Sequence, residues 1–315
     1  MRVVFMGTGE IGVPALRWLL DACEVVAVVT QPDKPVGRKQ ELHASPIKQL
    51  ALARGVPVLQ PVRMRAPESV AEIVALRAEV IVVMAYGQIL PKAVLDAPRL
   101  ASLNLHASLL PRWRGAAPIQ AAIEAGDCAS GITVMHMAEG LDTGDILLLR
   151  ETPIRRRETG GSLHDRLAAL AAAALAEAWP LVIAGNAPRI PQDESLANHA
   201  PKLTRENGEI DWRAPAAAID RRIRAMNPWP AAHTWLPAAD GPRKVKVFAC
   251  IQHRRESGAP GTVLAADRRG LLVAAGQGSV LLRDIQLEGK RRMPARDFLL
   301  GHPVAPGTVL GKGPA

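Results

Sequence analysis

The sequence predicts an α/β protein: a doubly wound, mostly parallel sheet, followed by a C-terminal OB-like β-barrel. Three observations carry this. Over the first 150 residues, short runs rich in Val, Ile and Leu alternate with helical patterns, as βαβ units do. From Gly185 to Arg205 that pattern dissolves into Gly, Asn, Pro, Asp and Ser, the composition of a linker. Beyond it come many short apolar runs separated by Gly or Pro turns, as in a small antiparallel barrel. A chain of 315 residues is long for one core and suits two. The expected division is a first domain over 1–188, a linker over 189–205 and a basic barrel over 206–315.

Strands are expected at Val3–Met6, Val25–Thr30, Pro57–Leu59, Val80–Met84 and Ala101–Leu105. Helices fall between them at about Ile11–Leu20, Pro46–Arg54 and Pro67–Arg77, with another near Pro118–Ala125. Apolar runs at Gly131–Met137 and Ile146–Thr152 follow, then an Ala/Leu-rich helix from Ser162, its expected N-cap, to Ala184. In the last third, a helix at Ala214–Arg224 precedes strands at His233–Pro237, Lys244–Ile251, Gly261–Ala266, Gly270–Ala274 and Ser279–Leu287. A helix at Pro294–Leu300 follows them.

Composition narrows the setting. No run approaches the roughly 20 apolar residues of a membrane helix, and Met1–Gly7 reads as a strand entering a glycine turn rather than a signal peptide. Cys23, Cys128 and Cys250 are odd in number and far apart, which fits a reducing compartment. No Cys/His spacing suits zinc, and no metal is expected. These features point to a cytoplasmic protein. The net charge of +9 is unevenly placed: residues 1–204 hold 21 Lys+Arg against 20 Asp+Glu, and residues 205–315 hold 18 against 10. A domain-level excess of +8 marks either a polyanionic partner or an Arg-rich solvated surface.

The most informative stretch is Ser102–Gly115. Residues two apart on a strand share a face, so Asn104 and His106 lie side by side at a carboxyl end, where open α/β sheets bind ligands. Gly140-Leu141-Asp142-Thr143-Gly144-Asp145 is a turn whose acids either bond their own backbone or orient His106. Gln31–Ser45 is a long connection for a βα unit, carrying Lys34, Arg38 and Lys39. It is either a solvated loop or one that closes over a phosphate backbone. Gly7-Thr8-Gly9-Glu10-Ile11-Gly12 fits G-x-G-x-x-G, with Asp33 after the second strand, and so admits a nicotinamide-dependent oxidoreductase. Ordinary turn chemistry explains the same residues.

Asn104-Leu105-His106, Ser108-Leu109-Leu110-Pro111 and Arg114-Gly115-Ala116-Ala117-Pro118 together resemble the signature of the folate-dependent formyltransferases, whose catalytic domain is Rossmann-like. Gly140–Gly144 is similar to the segment that supplies their third catalytic residue. The loop Gln31–Arg38, with Ile210-Asp211-Trp212 and Arg224–Pro230, resembles the branch of that superfamily acting on methionyl-tRNA. The resemblance implies formyl transfer from 10-formyltetrahydrofolate to the α-amino group of methionyl-initiator tRNA through a tetrahedral intermediate. It implies that the Asn104 amide and a protonated His106 donate to the oxyanion, with Asp142 assisting. It further implies folate contact at Ser108, Leu109, Leu110 and Pro111, tRNA contact at Arg38, and a monomer that binds no membrane. Arg114 serves either the loop or the cofactor. A formyltransferase acting on glycinamide ribonucleotide shares the catalytic set but leaves the basic domain and long loop unexplained, and one acting on an aminosugar could carry a second domain but has no need for a net +8 on it.

Overall fold

The computed structural model describes residues 1–36, 41–253 and 258–311. Its first unit is built on a seven-stranded sheet. The spatial order is Ile146–Pro153, Ala129–His136, Ala101–His106, Val80–Met84, Arg2–Gly7, Glu24–Val29 and Val58–Leu59. The last five pair in parallel. Ala129–His136 runs antiparallel to both of its neighbours. Val3, Val4, Phe5 and Met6 are fully buried, the near-continuous apolar run that a strand covered on both faces requires. Val4 and Met6 join Ile73, Val94 and Leu95 of the helices Pro67–Ala75 and Lys92–Leu95. Phe5, one residue out of phase, faces Gly12 and shares it with Ile47 of the helix Pro46–Ala53. Helices therefore cover both faces, as the doubly wound reading requires. The chain leaves Arg2–Gly7 towards one edge and returns at Val80–Met84 on the other side. The carboxyl ends of those two strands frame the topological switch point.

Ser45 caps the helix Pro46–Ala53, its hydroxyl accepting from the Lys48 amide. Part of the long connection is a ribbon, Lys34–Val36 paired antiparallel with Glu41–His43. The helix expected to start at Ser162 spans Gly160–Ile183 instead. Thr159 is its cap: Thr159 Oγ1 accepts from the Ser162 amide, and Ser162 Oγ accepts from the Thr159 amide. This helix of 24 residues is, by length and composition, apolar enough to cross a membrane, contrary to the sequence reading. Its apolar residues serve a different solvent. Leu167, Ala171, Leu175, Ala178 and Val182 form a buried stripe, and Trp179 meets Trp18 edge to face at 5.5 Å.

The division of the chain differs from the expected one. The first unit comprises Met1–Pro118, Ala129–Pro153 and His164–Ala200; the second comprises Ile119–Cys128, Ile154–Leu163 and Pro201–Ala315. Residues 189–200, expected as linker, are tied into the first unit. Ile190 and Ile146 exchange backbone hydrogen bonds of 2.8 and 3.0 Å, and His199–Ala200 pairs in parallel with Arg114–Gly115.

The second unit is an antiparallel sheet in the order Ala232–Leu236, Arg243–His253, Ser279–Leu287, Gly270–Ala274, Val263–Asp267. Val309 bridges to Thr262 beside one edge strand and Gly311 to Trp235 on the other, so the tail links both edges and gives the sheet its barrel character. Helix Ala216–Ala225 lies on this sheet, with Ile219 and Ile223 buried. Trp212 donates its indole N–H to Thr234 at 2.9 Å.

Candidate active site

Asn104 and His106 end a strand whose Val80–Met84 neighbour borders the switch point, so the fold delivers both to the ligand edge of the sheet. His106 is 6% exposed and Asn104 half-buried. Asp142 reaches them from the Gly140–Gly144 turn with a left-handed backbone (φ 54°), which Asp tolerates better than most side chains. Its carboxylate does not close an Asx turn. Oδ1 accepts from Asn104 Nδ2 at 3.2 Å, and Oδ2 accepts from the Gly115 amide at 2.8 Å while lying 3.6 Å from His106 Nδ1. The other ring nitrogen, Nε2, is 2.9 Å from the Trp113 carbonyl. A carbonyl only accepts, so Nε2 carries a proton and Nδ1 is the ring atom turned towards Asp142. One of the two amide hydrogens of Asn104 is thereby spent on Asp142, and the other is left for a ligand.

The loop after this strand is self-supporting. Ser108 Oγ donates to the Arg112 carbonyl at 2.7 Å, Thr133 Oγ1 donates to the Ser108 carbonyl at 2.6 Å, and the Leu110 amide donates to Thr133 Oγ1 at 3.0 Å. The Leu109 carbonyl accepts from the Arg112 amide. Three backbone groups of Ser108–Pro111 are thereby committed within the protein: the Ser108 and Leu109 carbonyls and the Leu110 amide. Leu109 and Pro111 are half-buried, and what they offer a flat ring is apolar contact.

Arg114 is a residue whose role the sequence left open. Only 4% of its side chain is exposed, although its partner Glu194 is 70% exposed. The guanidinium binds both Glu194 oxygens, at 2.8 and 2.7 Å, and Gln192 Oε1 at 3.1 and 2.8 Å. The Arg114 contact holds the Glu194 carboxyl below the usual range. Gln192 Nε2 in turn donates to the Asp142 and Gly144 carbonyls, each at 2.8 Å. Asn198 completes the arrangement, accepting the Trp113 amide on its side chain and the Arg114 amide on its carbonyl. Gln192, Glu194 and Asn198 escaped the sequence reading because they sit in a stretch composed like a linker. The one signal was Arg114 itself, a cation in an apolar setting that requires a partner.

The structure answers the dinucleotide reading. A Cβ on Gly7 would lie 2.6 Å from the Phe5 ring and 2.8 Å from the Met84 carbonyl, so that glycine serves packing. The amides of Thr8 and Gly9, which would face a pyrophosphate, donate to the Ala85 carbonyl. Asp33 is bound by Lys48 at 2.6 Å and Gln60 at 2.9 Å, contacts that hold its carboxyl below the usual range. Among the described residues, no group of three or more His, Cys, Asp or Glu side chains forms a metal cluster.

A family model described as formyl transferase matches residues 1–179, and one described as formyl transferase, C-terminal domain, matches residues 202–303. A methionyl-tRNA formyltransferase of Pseudomonas syringae pv. tomato is 49% identical over 315 residues, covering 99% of each chain. The chain belongs to the methionyl-tRNA formyltransferase family. A second member, from Citrifermentans bemidjiense, is also 49% identical, over 99% of this chain and 97% of its own. More distant solved structures share the fold. An N-formyltransferase from Helicobacter canadensis in complex with folinic acid and dTDP-3-aminofucose has a TM-score of 0.67 at 17% identity, covering 89% of this chain and 98% of that one. HypX from Aquifex aeolicus in complex with tetrahydrofolic acid has a TM-score of 0.63 at 18% identity. The match covers 95% of this chain but only 47% of HypX, about half its length. In this member of the family, Arg38, the expected tRNA contact, lies outside the described residues.

Proposed function

We propose that the chain transfers the formyl group of 10-formyltetrahydrofolate to the α-amino group of methionyl-initiator tRNA, with Asn104, His106 and Asp142 as its catalytic residues. The observation that carries this reading is the convergence of Asn104 and His106 on one carboxylate at the ligand edge of the sheet. The donor set suits the cosubstrate: an amide N–H of Asn104 is available for a formyl oxygen, and Leu109 and Pro111 present apolar surface to a ring. Bound there, 10-formyltetrahydrofolate supplies the formyl carbon: the α-amino nitrogen adds to it, and the tetrahedral centre so formed collapses with loss of its bond to N10.

The residues of the chain divide the remaining work. Asn104 donates to the formyl oxygen as negative charge gathers on it. His106, fixed at Nε2 by the Trp113 carbonyl, uses Nδ1 to donate to that oxygen, and the proton the amine loses ends on N10 of the departing tetrahydrofolate. Asp142 stabilises the charged ring and holds Asn104 in place. Arg38 and the basic second unit meet the phosphates of the tRNA, Arg38 at the acceptor stem. The enzyme acts as a monomer in the cytoplasm, a setting in keeping with its three free cysteines.

The test is formylation of methionyl-initiator tRNA by the full chain at low and moderate salt. Activity that falls steeply with salt supports the reading. Formylation of small amines alone, with none of the tRNA, transfers it to a small-amine enzyme.

A further inference from the structure

The second unit contains a cleft of about 320 Å³, all of whose lining residues belong to that unit. Its lining combines apolar Ile123, Ile154 and Ala217 with Arg155, Arg156, Arg221 and Arg224. Two of the lining residues neutralise each other: Arg224 Nε donates to Asp220 at 2.9 Å, and its terminal nitrogen donates to the Glu158 carbonyl at 3.1 Å. Arg221 is held differently. Its Nε donates to the Glu124 carbonyl at 2.9 Å, and its aliphatic part crosses Gly126, where a Cβ would lie 3.0 Å from Arg221 Cδ. Gly126 has φ +85°, so the turn needs glycine for its backbone as well as for this crossing.

Among the described residues, the guanidiniums of Arg155, Arg156 and Arg221 have no carboxylate within ion-pair distance, and Asp127 is the remaining acid of the lining. The turn bearing Arg155 and Arg156 is closed by Glu158, a buried residue whose carboxylate accepts the Arg155 amide at 2.8 Å. Glu158 is thus committed to the turn while the two arginines stay exposed. Three guanidiniums around a concave surface, one anchored at Nε with its terminal nitrogens uncommitted, suit a phosphate, which accepts paired N–H groups from arginine.

We propose that this cleft is a phosphate site, and that its occupant is a backbone phosphate of the tRNA acceptor. The identity of that partner rests on the function proposed above; the anion chemistry does not. Such a contact carries no sequence information and fixes the position of the nucleic acid on the protein.

The experiment measures the dissociation constant of the full chain for methionyl-initiator tRNA across a salt series, for the parent, an Arg155→Ala/Arg156→Ala variant and an Arg155→Lys/Arg156→Lys variant. Both positions are exposed, and thermal melting checks the fold. The alanine variant is expected to bind about ten-fold more weakly, with the slope of log affinity against log salt reduced by about 1 to 2. The lysine variant keeps the slope. An unchanged slope and affinity in the alanine variant overturns the site. If inorganic pyrophosphate at matched ionic strength stabilises the parent alone, while tRNA binding is the same in all three, the cleft belongs to a free phosphate compound and the backbone assignment falls. A parent chain with no salt-dependent tRNA affinity instead overturns the function on which the partner rests.

Discussion

Gln192 holds Asp142 by its backbone: one amide nitrogen donates to the carbonyls of Asp142 and Gly144 at 2.8 Å each. The same side chain accepts from Arg114, whose neighbour Gly115 donates its amide to the Asp142 carboxylate. The acid is therefore located twice, once at its main chain and once at its side chain, by residues about 50 and 27 positions away.

This makes Gln192 a positioning residue. Gln192→Ala is expected to lower kcat by about ten-fold to a hundred-fold, the cost of a small misplacement of a reacting group. Its KM for methionyl-tRNA should stay at the parent value. Steady-state kinetics decide between this and a merely structural role, which would lower the active fraction and the melting temperature together.

The proposed catalytic pair gives a larger effect. Asn104→Ala and His106→Ala are each expected to lose at least about 10² to 10³ in turnover, with the circular dichroism spectrum kept. Near-parent turnover in either variant would remove that residue from the chemistry.

Tyr86 is 2% exposed, sits in a core cluster of the first unit and, among the described residues, has no hydrogen-bond partner for its hydroxyl. Burial pushes its phenol up to about 12, so it stays neutral across the working range. Tyr86→Phe removes an unsatisfied polar atom and is expected to leave stability unchanged or raise it by about 1 kcal/mol. A loss on denaturant unfolding would mean that the hydroxyl has a partner in solution, such as a buried water.

His136 yields the pH prediction. It is 5% exposed, its Nε2 is 3.0 Å from the Pro188 carbonyl, and its Nδ1 has no partner among the described residues. Burial, helped by the charge of Arg189, lowers its tendency to protonate below the ordinary 6.5. The unfolded chain then binds the proton more readily, so the contribution of His136 is complete above about 6.5 and is lost as the pH falls through the lower folded value. Melting temperature should drop more steeply on acidification in the parent than in His136→Gln. Parallel curves would show that His136 is not a source of acid sensitivity.

Much of this molecule was legible in its sequence because the determinants are local. The strands of both sheets announce themselves as apolar runs between glycine or proline turns. Asn104 and His106 stand out as polar residues at the end of such a run. The approach of Asp142 was open, because contact across 36 to 38 residues leaves no periodic trace. Gln192, Glu194 and Asn198 were hidden for a different reason. Polar residues among Gly and Pro look the same whether they face water or a buried guanidinium. The cap at Thr159 was missed by three residues because Thr159 and Ser162 bond reciprocally, and either alone fits a helix start.

The Arg114–Gln192–Glu194 contacts fix where this protein can be taken apart. All three residues lie within the unit that ends at Ala200. A fragment stopping at 188 would strand a buried cation without its counter-charge, whereas one ending at Ala200 carries every group that holds Asp142. Recombination at the Ala200–Pro201 junction would therefore leave these contacts whole and exchange residues 201–315, while the Ile119–Cys128 and Ile154–Leu163 segments of the second unit stay with the first fragment. A swap made a dozen residues earlier would splice through the active site.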